Sequence, residues 1–492
     1  MRTATSPVTL GLPSSPARGL GQDRALPRPA YVTNIPGILV VTGLATWVGG
    51  NEIAMVVAAA VGGVISLYLL WDWLFREGPT RFSTIMAMTL LQGYGLGALN
   101  TWLTLPTGGL TIAQFLGGDQ AVLARGMAAV LIACAPLCFL GELYERPLFG
   151  SEFRLPLDQR TYLFIVLGTA GVIAGFFIHA LGFQGTQVGT GGQVSVAAAL
   201  LTFIFSPLTA LTVAVFLVTR GRFAKPLMGF CTLVLCILTM TIGRRNIIYT
   251  AILVIFALRL TGYRLKGTFF RKLLLITGLG FFMALGITVF MLLRMAGWKM
   301  PNGKATLGKR IEVALSWVED GTALSRATEA NRVNAQKRTF VLDFFADVLD
   351  GSMRRTPALG KDVVGYVSMA IPRVLNPEKE GFAEEELADE QFGLTYTDAA
   401  NSILTTGATD FGLLGAAVYP LLVVALFVFI INVISRLLPP LPVAFISLGI
   451  ILVLLQAENT VTTYVVTARD VIIFTFLLGL FSLLPHMSLR NR

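Results

Sequence analysis

The sequence predicts an all-α polytopic membrane protein: about twelve transmembrane helices, with a large helical extracytoplasmic loop domain between spans 9 and 10. Three observations predict it. Of the 492 residues, 54% are hydrophobic and 13% charged, against about 25% charged in a soluble domain. Apolar runs of near-membrane length recur from Ile35 to the C-terminus, and only helices or closed barrels satisfy their own backbone in lipid. One long polar stretch, Ala296 to Thr409, interrupts the pattern.

The chain divides accordingly. Residues 1–30 are rich in Pro, Gly, Ser and Arg and read as a disordered cytoplasmic tail without a cleavable signal. Residues 31–294 hold spans 1 to 9, near 35–50, 52–75, 83–104, 121–141, 161–181, 194–219, 226–242, 246–263 and 273–294. Residues 295–410 form the loop domain. Residues 411–492 hold spans 10 to 12, near 411–435, 441–457 and 467–485, and a short cytoplasmic tail.

Charge sets the expected orientation. With the N-terminus cytoplasmic, the inner loops collect Arg76, Arg81, Arg146, Arg154, Arg160, Arg220, Arg222, Lys225, Arg264, Lys266, Arg436 and Arg490. The outer loops 105–120 and 182–193 have no Lys or Arg. That asymmetry puts both termini inside and the loop domain outside. Only Arg244 and Arg245 clearly break the rule among short outer loops.

Within the loop domain, Phe340, Val341, Phe344, Phe345, Val348 and Leu349 make a helical apolar stripe. Val363, Val364, Val367, Met369 and Ala370 suggest a second helix, stopped by Pro372. The acidic run Glu378 to Glu390 reads as a solvated loop. The whole is expected to be a small helical cap on the outer face.

The formal charge of +10 is accounted for by topology, and no basic-aromatic platform suggests nucleic acid as a partner. Cys134, Cys138, Cys231 and Cys236 all lie in apolar spans, so no disulfide braces the loop domain. The pair Cys134 and Cys138 reads as buried apolar packing before metal ligation. His179 and His486 are the two histidines, too few for a His-based metal site or a Ser-His-Asp triad. No metal and no cofactor is expected.

Candidate site residues cluster in the second half. Arg244 and Arg245 repel each other and oppose topology, which an anionic partner would explain; the guanidinium fork suits phosphate. Snorkelling to headgroups is the plain alternative. Arg373 and Lys379 stand on a loop stiffened by Pro372 and Pro377, a second phosphate or sugar clamp. Arg294 ends the ninth span and is either a third clamp or a boundary anchor. Asp398, Asp410, Glu458 and Asp470 are the carboxylates near this face. A general base would come from these, with Asp398 and Glu458 preferred. Asp470 pairs naturally with Arg469, and Asp410 reads as an N-cap of span 10. Asn401 and Ser402 could bind sugar hydroxyls. The glycine-rich stretch Gly182 to Gly192 reads as a flexible outer loop before a phosphate nest.

These residues resemble a family. Gly243-Arg244-Arg245 is similar to the Gly-Ser-Arg type turn of Wzy-type oligosaccharide repeat-unit polymerases. Ile371-Pro372-Arg373-Val374-Leu375-Asn376-Pro377-Glu378-Lys379 resembles that family's PR–hydrophobic–PxK stretch. Ser402 followed by Asp410-Phe411-Gly412-Leu413-Leu414-Gly415 resembles its closing S…FGxxG pattern. Arg244 stands where the family's serine is expected. The resemblance implies a glycosyltransferase-C-like bundle in the bacterial inner membrane. It implies polymerisation of undecaprenyl-diphosphate-linked units by metal-independent inverting transfer. Membrane lipids, a flippase and a chain-length regulator of the same pathway are its implied partners. Three other readings stay open at this point: a transporter or flippase, an O-antigen-ligase-like transferase, and a structural member of an envelope assembly. The outer loop has no histidine, which argues against the ligase.

Overall fold

The computed structural model describes residues 34–75, 80–105, 111–116, 118–143, 145, 155–178, 181, 196–262, 269–298, 307–322, 325, 328, 340–360, 363–371, 376, 384–394 and 401–482. Among them every regular element is a helix. In chain order these are α1 (Ile35–Gly49), α2 (Glu52–Phe75), α3 (Phe82–Leu91), a π-helical segment (Gln92–Leu96), α4 (Gly97–Thr104), α5 (Ile112–Leu116), α6 (Gln120–Leu143) and α7 (Gln159–Phe177). There follow α8 (Val196–Val218), α9 (Ala224–Ile242), α10 (Arg244–Leu260), α11 (Phe269–Trp298) and α12 (Leu307–Glu319). The last are α13 (Phe340–Arg354), α14 (Val363–Ala370), α15 (Glu384–Phe392), α16 (Ile403–Leu437), α17 (Pro440–Leu454) and α18 (Val461–Ser482).

Among the described residues, seven helical runs are long and apolar enough to cross a membrane: Glu52–Trp73, Phe82–Thr104, Gln120–Gly141, Gln159–Phe177, Ile276–Gly297, Ile403–Leu437 and Val461–Gly479. Five shorter apolar helices, Ile35–Gly49, Phe203–Val218, Ala224–Met240, Asn246–Leu260 and Pro440–Leu454, coincide with the other predicted apolar segments. Large apolar side chains such as Val41, Phe177, Phe281 and Phe476 point outward and are exposed, as lipid-facing residues are. Several helices suggest a membrane protein on these grounds.

Small residues let the helices approach. A Cβ on Gly43 of α1 would meet the Ala128 carbonyl of α6 at 3.0 Å. On Gly95 it would meet the Ala59 carbonyl of α2 at 2.9 Å. Such contacts are how apolar helices pack when burial alone gives no preference for a partner. At the opposite end of the bundle, Glu145 receives the N–H groups of Phe82 and Ser83 at 2.6 and 3.0 Å, satisfying orphan donors at the start of α3.

The described part of the loop domain packs against the bundle, which composition alone did not indicate. Its α13 packs along α6 and α16, with Phe344, Phe345, Val348 and Leu349 buried. A Cβ on Gly126 of α6 would meet Ala346 at 2.6 Å. Arg125 of α6 donates to Asp350 of α13 at 2.8 Å. The short α14 packs on α18. The acidic run is corrected: its described part is the helix α15, and Glu384 is buried rather than solvated.

Span 10 is also revised. Its helix begins at Ile403, capped by Ser402, and breaks at Phe411 (φ −142°, ψ 20°) and Gly412 (φ 62°, ψ −144°). The positive φ at 412 is where glycine is needed. Asp410 is therefore the last residue of a short arm (403–410), not a cap. The break turns the chain so that Gly407 lies against Gly415, backbone to backbone. In a continuous helix those residues would stand about 12 Å apart. The carbonyls ending the short arm are not left open: Ala358 and Leu359 donate N–H groups to Thr409 and Asp410 at 3.0 and 2.9 Å. The start of span 12 also moves, from 467 to Val461, which places Asp470 inside α18.

Candidate functional site

A polar layer lies halfway along the bundle. Gly93 is near the middle of the 23-residue run Phe82–Thr104, and a Cβ there would meet Ala457 at 2.5 Å. The loop joining α17 to α18 therefore meets this run at its middle, not at its end. The reason is length: α17 has only 15 residues, about 22 Å. Glu458 and Asn459 are carried on that loop.

The π-helical segment presents the next member. Three glycines, Gly93, Gly95 and Gly97, surround Tyr94 and weaken the α-helix there; π-bulges are frequent at functional positions. The Tyr94 hydroxyl is 2.5 Å from the Ser402 hydroxyl, and both residues are buried. Ser402 also accepts the N–H groups of Leu404 and Thr405, at 3.1 and 3.4 Å, as an N-cap. Asn401, buried as well, accepts the Ser402 N–H at 2.7 Å. Half-buried Glu458 follows Ala457, which abuts Gly93, so it stands on the loop that meets the Tyr94 segment. Asn459 donates to the Val453 carbonyl at 2.7 Å and closes the end of α17.

Glu384 ties the loop domain to this layer. Its carboxylate accepts the Thr406 hydroxyl at 2.5 Å and the Thr462 N–H at 3.0 Å. It thereby joins the short arm to the first turn of α18, where a negative charge also suits the helix dipole. With both oxygens engaged, Glu384 is a tie. Asp410 receives the Tyr419 hydroxyl at 2.6 Å, which joins the two arms of α16.

The remaining predicted residues fall as follows. Arg244 and Arg245 are the first two residues of α10, after an extended Gly243; α10 packs against α17, the helix that leads to Glu458. Arg294 is half-buried in the last turns of α11. Arg373, Lys379 and Asp398, together with His179, His486 and residues 182–192, lie outside the described residues. Arg469 and Asp470 form the expected local pair at 2.6 Å. Cys134 and Cys138 are buried free thiols. Of the sequence-predicted residues, the structure places Ser402 against Tyr94, Asn401 beside Ser402, and Glu458 on the loop that meets the Tyr94 segment.

Tyr94, Glu384 and Thr406 are missing from the sequence-derived set. The signal for Tyr94 was present: glycines at alternate positions inside an apolar span weaken the α-helix there. Glu384 gave none, because one carboxylate in an acidic run looks like its neighbours.

Chemically, the layer sets a carboxylate, an amide and hydroxyls inside an otherwise apolar bundle. Polar groups at such depth are costly and are commonly functional. No family model, curated protein or solved structure matches this chain.

Proposed function

We propose that this protein polymerises lipid-diphosphate-linked oligosaccharide repeat units by inverting glycosyl transfer, on the extracytoplasmic side of the bacterial inner membrane. The observation that supports this most is the polar layer around Tyr94, Ser402 and Glu458. It offers proton-transfer chemistry at a depth where membrane-anchored substrates would meet. In this reading the seven long and five shorter apolar helices make twelve crossings. Both termini are cytoplasmic, and residues 295–410 are the outer loop domain.

The step is a substitution at the anomeric carbon. An acceptor hydroxyl forms the new C–O bond, the bond to the diphosphate breaks, and the acceptor proton passes to a carboxylate. Glu458 is the first choice for that base and Asp398 the second. The lipid diphosphate leaves with the bonding electron pair. Arg244, Arg245 and Arg373, assisted by Lys379 and Arg294, hold that growing charge, a role that needs neither metal nor cofactor. Asn401 contacts the glycan. Ser402 was a candidate for the same role, but its hydroxyl already caps the short arm, so we assign it to holding that arm in place.

The test in cells is the fate of single repeat units when the gene is disrupted. The proposal expects them to be exported and left unpolymerised. Accumulation on the cytoplasmic side would replace polymerisation with a flippase role. An O-antigen-ligase-like transferase would instead leave polymer intact and unattached.

A further inference from the structure

Away from the polar layer, α12 carries an exposed apolar face. One side of α12 packs on the last turns of α11: Ala314 and Trp317 are buried with Phe290, Met291 and Ala296. The Arg310 guanidinium lies over Gly297, where a Cβ would meet it at 2.8 Å. With half-buried Val313, these contacts occupy about 100° of the helix circumference. Beside them runs a second stripe, Ile311, Leu315 and Val318, at i, i+4 and i+7. Those three side chains are 42, 55 and 57% exposed. Lys309, Glu312, Ser316 and Glu319 fill the remaining arc and are exposed. The apolar arc of α12 is thus about twice as wide as its contact with α11.

What covers the stripe follows from its neighbour. The run Ile276–Gly297 of α11 is long and apolar enough to cross a membrane, and most of its residues are not buried inside the protein. Phe281 and Leu285 are among its exposed residues. α12 packs on the last turns of this span, and its exposed apolar stripe and its charged arc lie on either side of that contact. A helix with this division lies in the membrane plane, its apolar side sunk about 5–10 Å into the boundary between headgroups and acyl chains. The geometry points to α12 as an interfacial helix, with Ile311, Leu315 and Val318 inserted into the lipid surface.

The test uses single cysteines at Ile311, Leu315 and Val318, and at Lys309, Glu312 and Ser316 as the polar arc. All six positions are exposed, so substitution leaves the packing with α11 intact; a monodisperse size-exclusion profile checks each. Each is labelled with a bimane fluorophore in the full-length protein. The protein is reconstituted in phosphatidylethanolamine–phosphatidylglycerol nanodiscs containing lipid with a shallow nitroxide. The expected result is several-fold stronger lipid quenching for the stripe than for the polar arc, and the reverse order with aqueous iodide. Equal iodide quenching of both sets overturns the inference. So does protection of the stripe from both quenchers, which would place a second copy or another protein on it.

Discussion

Replacing Gly407 by alanine adds one methyl group where the two arms of α16 touch. That methyl would overlap the Gly415 carbonyl group and stand 2.8 Å from the Ala416 amide nitrogen. Both obstacles are backbone, so no side chain can rotate away. The arms must separate, and overpacking of this kind costs about 1–3 kcal/mol. Alanine recovers about 1 kcal/mol of helix propensity over glycine. Separation also strains the Ser402–Tyr94 hydrogen bond, worth about 1 kcal/mol. The net expectation is destabilisation by about 1–3 kcal/mol. Gly37 and Gly278 are the controls, since a Cβ at either meets nothing within 4 Å; alanine there should be neutral or stabilising by up to about 1 kcal/mol. The assay is the thermal midpoint of the monodisperse peak, by fluorescence-detected size exclusion in detergent. If Gly407→Ala melts with the wild type while the controls behave as stated, the close fold-back of α16 is wrong.

Three further predictions follow from the site and its proposed function. Tyr94→Phe should lower the melting midpoint, since it strips a buried partner from Ser402 at a cost of about 1–2 kcal/mol, and should slow turnover more than it weakens substrate binding. Arg244→Ala, Arg245→Ala and Arg373→Ala should each reduce turnover about a hundredfold or more at normal protein levels, with Arg245→Lys only partly restoring it because the ammonium lacks the fork; wild-type polymer in all three variants would remove the diphosphate clamp. Finally, a cysteine at exposed Glu390, two residues from the buried Ala388, should react with an impermeant thiol reagent in intact spheroplasts, and labelling only after lysis would reverse the orientation.

Apolar run length was enough to place most helices. Composition and span length are strong local signals, and each predicted apolar segment meets a helix in the structure. What stayed hidden depends on distant contacts. The fold-back at Phe411–Gly412 reads locally as the start of a span, because Gly407 and Gly415 only meet once the chain has turned. Asp410 looked like a cap for the same reason, while the real cap is Ser402. The burial of Glu384 requires Thr406 and Thr462, which lie 22 and 78 residues away. Glu458 was legible as a carboxylate near a span end. The approach of its loop to the Tyr94 segment, through Ala457 and Gly93, was not, since the two stretches lie far apart in the chain. The glycines flanking Tyr94 were the one overlooked local clue.

The most direct test of the proposed function is reconstitution. Purified protein in lipid nanodiscs is given synthetic lipid-diphosphate-linked repeat units, and both the glycan ladder and the released lipid diphosphate are followed. The account predicts a ladder, with one lipid diphosphate released per linkage formed. It predicts that Glu458→Gln lowers turnover by a factor of about 10²–10⁴, the usual worth of a general base, while donor binding changes little. Arg436→Ala, at an exposed position on the opposite end of α16, should run at the wild-type rate. Folded wild-type protein that releases no lipid diphosphate but moves the units across a bilayer would contradict the account, as would Glu458→Gln and Asp398→Asn both polymerising at the wild-type rate.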